Sequence, residues 1–222
     1  MGHLPPFPVA VANIFVVFLG IAIHEYCHCK FADLAGDPTP RYYGRVTLNP
    51  FKHFDPAGSI FIFLTMYIGY GIGWGKPAPM DPRKMRDPRW DFFIAVIAGP
   101  ISNILQAMIF AALFRIFISP SLAANLDENN FNQLLPWIII YGVIINIALA
   151  IFNLIPFGPL DGQWLLGLLL PEKQRYQFWQ FNRKVGFAGL IGAVLLLQFF
   201  NVDFLVAPIN WGFHLLTGAR FS

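Results

Sequence analysis

The sequence predicts an all-α polytopic membrane protein, and three observations support this fold class. Of the 222 residues, 56% are hydrophobic and only 12% are charged, whereas charged residues make up about a quarter of a typical soluble domain. The apolar residues gather in segments long enough to cross a bilayer. Aromatic residues account for 17% of the chain, which suits a protein with much lipid-facing and interfacial surface. The net charge of +3 is too small to indicate binding to nucleic acid.

The first predicted membrane helix begins among N-terminal prolines and ends near Gly36. Residues 7–23 carry no charge, and at 1.5 Å per residue they rise about 25 Å through a hydrocarbon layer of roughly 30 Å. They lack a basic region and a small-residue cleavage site, so we do not expect a cleavable signal peptide. The helix continues directly into residues 24–28, which read HEYCH. This motif should lie inside the bilayer, where ionisable side chains are costly and usually functional.

The spacing of this motif is typical of a zinc hydrolase. His24 and His28 are four positions apart, so on a helix they project from one face and can bind one metal ion. Glu25 projects about 100° away from His24, close enough to take a proton from a water at that metal without being a ligand. Chance is the alternative, because two histidines can also be ordinary polar groups on a helix. The uncharged segment before them argues against chance.

The region after the first helix is predicted to contain a short β element and a re-entrant segment. Residues 41–50 are rich in β-formers and turn residues, which favours a short hairpin. Residues 57–74 are apolar but contain four glycines and are only marginally long enough to span. Basic residues lie on both sides of this segment, and such residues are retained in the cytoplasm. We therefore expect residues 57–74 to enter the membrane and return on the same side.

Three further spans are predicted, over residues 92–118, 134–157 and 185–200. The connection between the first two carries Asp127 and Glu128 and no basic residue, so it should lie outside the cell.

We interpret residues 1–222 as one integral membrane domain. Its core covers about residues 7–165, and an amphipathic segment and an extra membrane helix follow over residues 171–207.

The span over 134–157 leads into a segment that cannot form a regular helix. Two prolines and two glycines lie within residues 156–162, and they surround Asp161. Unwound backbone at membrane depth is tolerated only where it is buried in protein or lines a wet cavity. An aspartate in such a segment is well placed to bind a metal. The alternative is that Asp161 caps the helix predicted over residues 163–170.

Together these motifs resemble the site-2 protease family of intramembrane zinc metalloproteases, and in particular its short prokaryotic members without a PDZ domain. The resemblance covers roughly residues 20–165 and rests on HEYCH at 24–28, GDPT at 36–39, GRVTLNPFKHFDPAG at 44–58, GKPAP at 75–79 and LDG at 160–162. It implies that His24, His28 and Asp161 bind one Zn²⁺ per chain and leave a fourth position for water. Glu25 would then act as general base and pass the proton to the leaving amine.

Three other polar residues are candidates for binding substrate or supporting the transition state. Asn103 lies in a segment, AGPISN at 98–103, that resembles a family motif on a helix near the zinc helix. Asn153 precedes the LDG motif. The alternative for both amides is that they tie helices together within lipid, at under about 2 kcal/mol each. His53 falls in the family-like loop and either assists substrate binding or is structural.

The resemblance implies zinc-dependent hydrolysis of peptide bonds in or near transmembrane segments of other proteins, as in regulated intramembrane proteolysis. The partners would be those segments and the lipid bilayer. The location would be a prokaryotic cytoplasmic membrane, with the active site open to the cytoplasm. A non-enzymatic metal-binding membrane protein, such as a transporter, is the alternative. Glu25 distinguishes the two, because a transporter needs ligands but has no use for a water-activating carboxylate beside them.

Overall fold

A computed structural model describes residues 5–56, 58, 60, 75–199 and 206–219, and helices dominate these ranges. The α-helices are α1 Phe7–Leu34, α2 Thr39–Tyr42, α3 Trp90–Phe117, α4 Pro120–Ala124, α5 Leu134–Asn153, α6 Asp161–Leu169, α7 Glu172–Phe199 and α8 Val206–Thr217. Short 3₁₀ helices cover Pro50–Lys52, Pro82–Lys84 and Phe131–Gln133.

Three helical segments of the described ranges are long and apolar enough to cross a membrane: α1, α3 and Phe131–Asn153, which contains α5. They confirm three of the predicted spans, so the chain is a multi-pass membrane protein. The predicted end of the first helix is also confirmed, because α1 ends at Leu34 and Gly36 follows with a φ of +105°. Glycine adopts this backbone conformation without steric cost.

Helices α1 and α5 run in the same direction. Near their beginnings, the ring of Phe7 stacks on that of Phe131 with 6.2 Å between centroids. Further along, the Cβ position of Gly20 lies 2.9 Å from Leu149 Cδ1 and 3.2 Å from Asn146 Oδ1. The sequence predicts this common direction, because only parallel helices bring their C-terminal ends, and hence His24 and Asp161, to one site.

Helix α3 runs opposite to α1. Ala95, near the start of α3, accepts a hydrogen bond from His28 in the second half of α1. Near the end of α3, Phe114 belongs to the same apolar cluster as Val9 and Ala12 at the beginning of α1. Among the described residues, a single antiparallel span therefore lies between the two parallel ones.

The hairpin predicted over residues 41–50 is wrong. The segment begins within the short helix α2, turns at Gly44 with a φ of +62°, and ends where Asn49 Oδ1 accepts from the N–H of Phe51 at the start of a 3₁₀ helix. Pro40 and Pro50 have no N–H for a strand ladder, and side-chain caps satisfy the backbone locally. These local effects outweigh the β propensity of the intervening residues.

The predicted re-entrant segment, residues 57–74, lies outside the described residues except for Gly58 and Ile60. Its flanks are described. Phe54 and Gly75 form an isolated antiparallel bridge, and the N–H of Lys76 donates to the carbonyl of His53 at 2.7 Å. The chain thus approaches and leaves this segment at one place.

The predicted amphipathic segment and the predicted span over 185–200 form one continuous helix, α7, up to Phe199. Helix α8 then packs back onto the bundle. Phe213 of α8 is buried, and its ring meets that of Phe114 edge-on at 5.7 Å.

Candidate metal centre

Helix α1 and the start of α6 bring the three predicted ligands together. The Nε2 atoms of His24 and His28 lie 2.9 Å apart, and Asp161 Oδ2 lies 3.2 Å from each of them. Both histidines are buried. Among the described residues, these three form the cluster whose ligand atoms could hold a metal ion.

The hydrogen bonds of the two imidazoles fix which nitrogens face the centre of this cluster. His28 Nδ1 lies 2.8 Å from the carbonyl oxygen of Ala95, which can only accept, so Nδ1 of His28 carries the proton. His24 Nδ1 lies 2.7 Å from Asn103 Oδ1 and donates to it. In a neutral imidazole the other ring nitrogen is then an unprotonated acceptor. Both Nε2 lone pairs therefore point at the carboxylate of Asp161.

Three acceptor atoms that face one another repel unless a cation lies between them. Asp161 Oδ2 is buried and has no hydrogen-bond partner among the described residues. Two neutral imidazoles and a carboxylate are a common ligand set of catalytic zinc. Tetrahedral coordination with zinc–ligand bonds of about 2.0–2.1 Å places the ligand atoms about 3.3 Å from one another. The separations of 2.9 and 3.2 Å are close to that value. The donor set thus fits a zinc ion.

Asp161 does not act as a helix cap. The N-cap residue of α6 is Leu160, and no side chain caps this end. Helix α6 can begin at Asp161 because residue 162 is a glycine. A Cβ at this position would overlap with the carbonyl oxygens of Leu154 and Ile155. The absence of a side chain lets the first turn of α6 pack against the end of the preceding segment, which brings Asp161 to the histidines.

Gly99 of α3 forms the wall behind the two imidazoles. A Cβ at this position would overlap with Cε1 and Nε2 of His28 and would lie 2.7 Å from Cε1 of His24. Only glycine leaves room for both rings at this crossing. The sequence interpretation assigned no role to Gly99, although its place in the AGPISN segment was a usable signal.

Glu25 lies beside the ligand cluster and is not part of it. Its Oε2 atom is buried without a hydrogen-bond partner in the part of the chain that the structure describes. The Cβ position of Gly75 lies 3.6 Å from Glu25 Cγ, so the chain at Gly75 is in van der Waals contact with this side chain. A buried carboxylate oxygen with no partner is free to accept a proton.

The three supporting candidates have different surroundings. Asn103 has no exposed surface and contacts His24 directly. The Nδ2 group of Asn153 donates to the Leu149 carbonyl of its own helix at 2.9 Å. Fully buried His53 donates from Nε2 to the Thr47 carbonyl at 2.7 Å. Within the described part of the chain, neither Asn153 nor His53 forms a hydrogen bond with the cluster of His24, His28 and Asp161.

The surroundings of His53 keep it neutral. Burial lowers the pKa of His53, and the nearby guanidinium of Arg45 lowers it as well, against the opposing effect of the Thr47 hydrogen bond. Arg45 Nη2 also donates to the carbonyl of Lys76. His53 and Arg45 thus hold the chain at Lys76 beside Glu25.

A membrane-spanning bundle in which two buried imidazoles meet a carboxylate, beside a glutamate whose Oε2 has no hydrogen-bond partner among the described residues, has the features of a membrane metalloenzyme. Comparisons with known proteins give the family. The sequence model of Peptidase family M50 matches residues 123–197. The protein YwhC of Bacillus subtilis is 33% identical over 179 residues, which are 78% of this chain and 77% of that protein. Rip2 of Mycolicibacterium smegmatis is 26% identical over 174 residues, which are 76% of this chain and 63% of that protein.

Both relatives are named "Putative zinc metalloprotease". The chain belongs to peptidase family M50, the site-2 protease family, and is a membrane metalloprotease with Zn²⁺ as its cofactor. No solved structure matches it.

Proposed function

We propose that this protein hydrolyses peptide bonds in or next to transmembrane segments of other membrane proteins, as in regulated intramembrane proteolysis. The observation that carries the proposal is the convergence of three acceptor atoms, from His24, His28 and Asp161, inside a membrane-spanning bundle. Seventeen residues of α1 precede His24, which is about 25 Å of helix. A site at this depth suits a substrate that is itself embedded in the membrane.

In this proposal each residue has a defined task. His24 and His28 would hold zinc through their Nε2 atoms, and Asp161 would hold it through Oδ2. When bound, zinc polarises the scissile carbonyl and makes water acidic enough to be deprotonated near neutral pH. Glu25 would accept a proton from the attacking water on Oε2, which has no hydrogen-bond partner among the described residues, and would then donate it to the leaving amine.

We also propose that the site opens to the cytoplasm of a prokaryotic cell and that residues 57–74 are re-entrant. Two described features support this. The bridge between Phe54 and Gly75 places both ends of the segment side by side, whereas the ends of a spanning segment would lie about 30 Å apart. Basic residues on both sides of the segment then share the cytoplasmic face. Gly75, where the described chain resumes, lies beside Glu25, so the proposed re-entrant segment would be suitably placed to admit a substrate helix.

A cleavage assay on purified, detergent-solubilised protein tests the proposed function. Single-span peptides serve as substrates, and mass spectrometry locates the cut. We expect cleavage within or next to the apolar segment, loss of cleavage on zinc chelation, and recovery when zinc is returned. Cleavage that continues after complete removal of zinc would contradict the proposal. Tight zinc binding with no cleavage of any membrane peptide would favour the non-enzymatic alternative.

A further inference from the structure

A pair of buried amides, Asn103 of α3 and Asn146 of α5, joins the three membrane helices at His24. Asn103 Oδ1 accepts from His24 Nδ1 at 2.7 Å. Asn103 Nδ2 donates to Asn146 Oδ1 at 3.0 Å and to the Gly20 carbonyl of α1 at 3.3 Å. Asn146 Nδ2 in turn donates to the Gly142 carbonyl at 2.9 Å. Neither asparagine has any exposed surface, so water does not compete for these bonds.

These hydrogen bonds form a relay from Gly142 through Asn146 and Asn103 to His24. The bond at the Gly142 carbonyl determines the direction of the others. The Gly142 carbonyl can only accept, so Asn146 must turn its Nδ2 towards Gly142 and its Oδ1 towards Asn103. Asn103 must then turn its Nδ2 towards Asn146 and its Oδ1 towards His24. A reversed Asn103 would place Nδ2 against the His24 ring and Oδ1 against Asn146 Oδ1, with two acceptors in contact. The amides thus have one orientation in which all their bonds are satisfied.

We propose that Asn103 and Asn146 are positioning residues that hold His24 in the tautomer needed to bind zinc. A proton fixed on Nδ1 leaves the Nε2 lone pair facing Asp161 and His28. The hydrogen bond also fixes the rotation of the ring, a role that the Ala95 carbonyl has for His28. Partners of this kind raise the basicity of a ligating histidine, and their loss weakens metal binding about 10–100-fold. The inference rests on the proposed function only in that His24 is taken as a zinc ligand.

A purely structural role is the competing explanation. Amides between membrane helices hold bundles together, and removal of such a tie lowers thermal stability. A tie of this kind would leave the zinc affinity of the folded protein unchanged. Zinc affinity therefore separates positioning from structural support.

The test measures the zinc dissociation constant by competition with a chromophoric chelator, on folded protein purified in detergent. Asn103→Leu removes the acceptor and should weaken zinc binding about 10–100-fold. Asn103→Asp keeps an oxygen acceptor for His24, but its second oxygen faces the acceptors Asn146 Oδ1 and the Gly20 carbonyl, so it should restore part of that loss. Asn146→Leu leaves only the longer bond to the Gly20 carbonyl, at 3.3 Å among the described residues, to orient the Asn103 amide, and should weaken zinc binding by a smaller factor.

Gln106→Leu is the matched control. Gln106 lies in the same helix and is buried, but neither side-chain polar atom has a hydrogen-bond partner among the described residues. Its zinc affinity should equal that of the parent protein. The visible spectrum of cobalt-loaded protein gives a second readout, which should change in Asn103→Leu and not in the control.

His24→Ala separates the failure of this inference from that of the proposed function. If His24→Ala keeps the parent's zinc affinity, the ligand assignment fails and the inference fails with it. If His24→Ala loses zinc while folded Asn103→Leu and Asn146→Leu bind it as the parent does, the amides only tie helices and the relay is refuted. If Asn103→Leu does not fold, parent-like affinity in Asn146→Leu overturns the inference, and weakened affinity supports it.

Discussion

Gly99 and Gly162 allow the ligands to meet, each by leaving space that a side chain would fill. The imidazoles of His24 and His28 pack against α3 at Gly99, and the first turn of α6 packs against backbone carbonyls at Gly162. Protein interiors are packed closely enough that one additional methyl group has to displace its neighbours. The two glycines therefore set the positions of His28 and Asp161 as directly as the hydrogen bonds do.

Replacement of Gly99 by alanine should disrupt the zinc site. The new Cβ would overlap with the ring of His28, and neither α1 nor α3 can move away without breaking the hydrogen bond from His28 to Ala95. We expect zinc affinity to fall at least about tenfold, as it does when support of a ligating histidine is lost. Metal content after dialysis against a chelator measures the effect.

Gly192→Ala is the control for this change. Gly192 is a helical glycine of α7, and no atom of the described residues lies within 4 Å of its Cβ position. This variant should bind zinc like the parent protein and be slightly more stable, since alanine favours helix. Equal zinc affinity in Gly99→Ala and Gly192→Ala would show that the packing at Gly99 does not control the site.

At the scale of elements, the site depends on a segment that is not helical. Residues 154–160 separate α5 from α6, and the prolines of this segment end one helix before the next begins. Asp161 is consequently the first residue of α6 and reaches back to α1. A continuous helix would have carried this carboxylate on towards the membrane surface.

Asp161→Ala tests whether this carboxylate binds zinc or supports its helix. A ligand role predicts a strong loss of zinc affinity with little change in the stability of the zinc-free protein. A capping role predicts the opposite, a loss of about 1 kcal/mol of stability with zinc retained. Zinc titration and thermal unfolding of zinc-free protein, measured on the same preparation, distinguish the two. Full zinc occupancy in Asp161→Ala would remove Asp161 from the metal site.

Prediction from sequence succeeded where a single physical effect dominates. Uncharged segments of membrane length predict α1, α3 and α5, because lipid leaves the backbone few alternatives to a helix. The hairpin over residues 41–50 failed because caps and prolines decide that local structure. The spacing of His24 and His28 predicts their convergence, since a helix is regular.

The surroundings of the ligands were harder to predict from sequence. Asn103 could be marked as a candidate, but its bond to His24 depends on how two helices cross, which no local pattern encodes. The same holds for Gly99 and Asn146, whose importance follows from their neighbours in other helices.

At the scale of the whole molecule, the direction of the helices determines which loops share a face of the membrane. The N–H of Asp81, before α3, donates to Asp37 Oδ2, after α1, at 2.7 Å. The N–H of Arg86 donates to the Ala35 carbonyl at 3.1 Å. The chain on either side of the segment over 57–74 is thus held together at residues 35–37 and 81–86, as well as at Phe54 and Gly75, which supports the proposed re-entrant path.

Labelling of single cysteines in intact cells tests this topology, in a background without Cys27 and Cys29. Cysteines at the exposed positions Leu48 and Arg83 should be protected from an impermeant reagent applied outside, and both should react after the cells are opened. A cysteine at exposed Asn129, in the loop between α3 and α5, should react from outside and serves as the control. Reaction of Leu48→Cys and Arg83→Cys from opposite faces would refute the re-entrant path.

The measurement that tests the central claim most directly is the zinc content and cleavage activity of Glu25→Gln beside those of His24→Ala. The claim is that Glu25 moves protons while His24 binds the metal. Glutamine keeps the shape of Glu25 but cannot act as a base, so Glu25→Gln should retain about one zinc per chain and lose cleavage by a factor of at least about 10². His24→Ala should lose both zinc and cleavage. Loss of zinc from Glu25→Gln equal to that from His24→Ala, or cleavage by Glu25→Gln at the parent rate, would contradict the account.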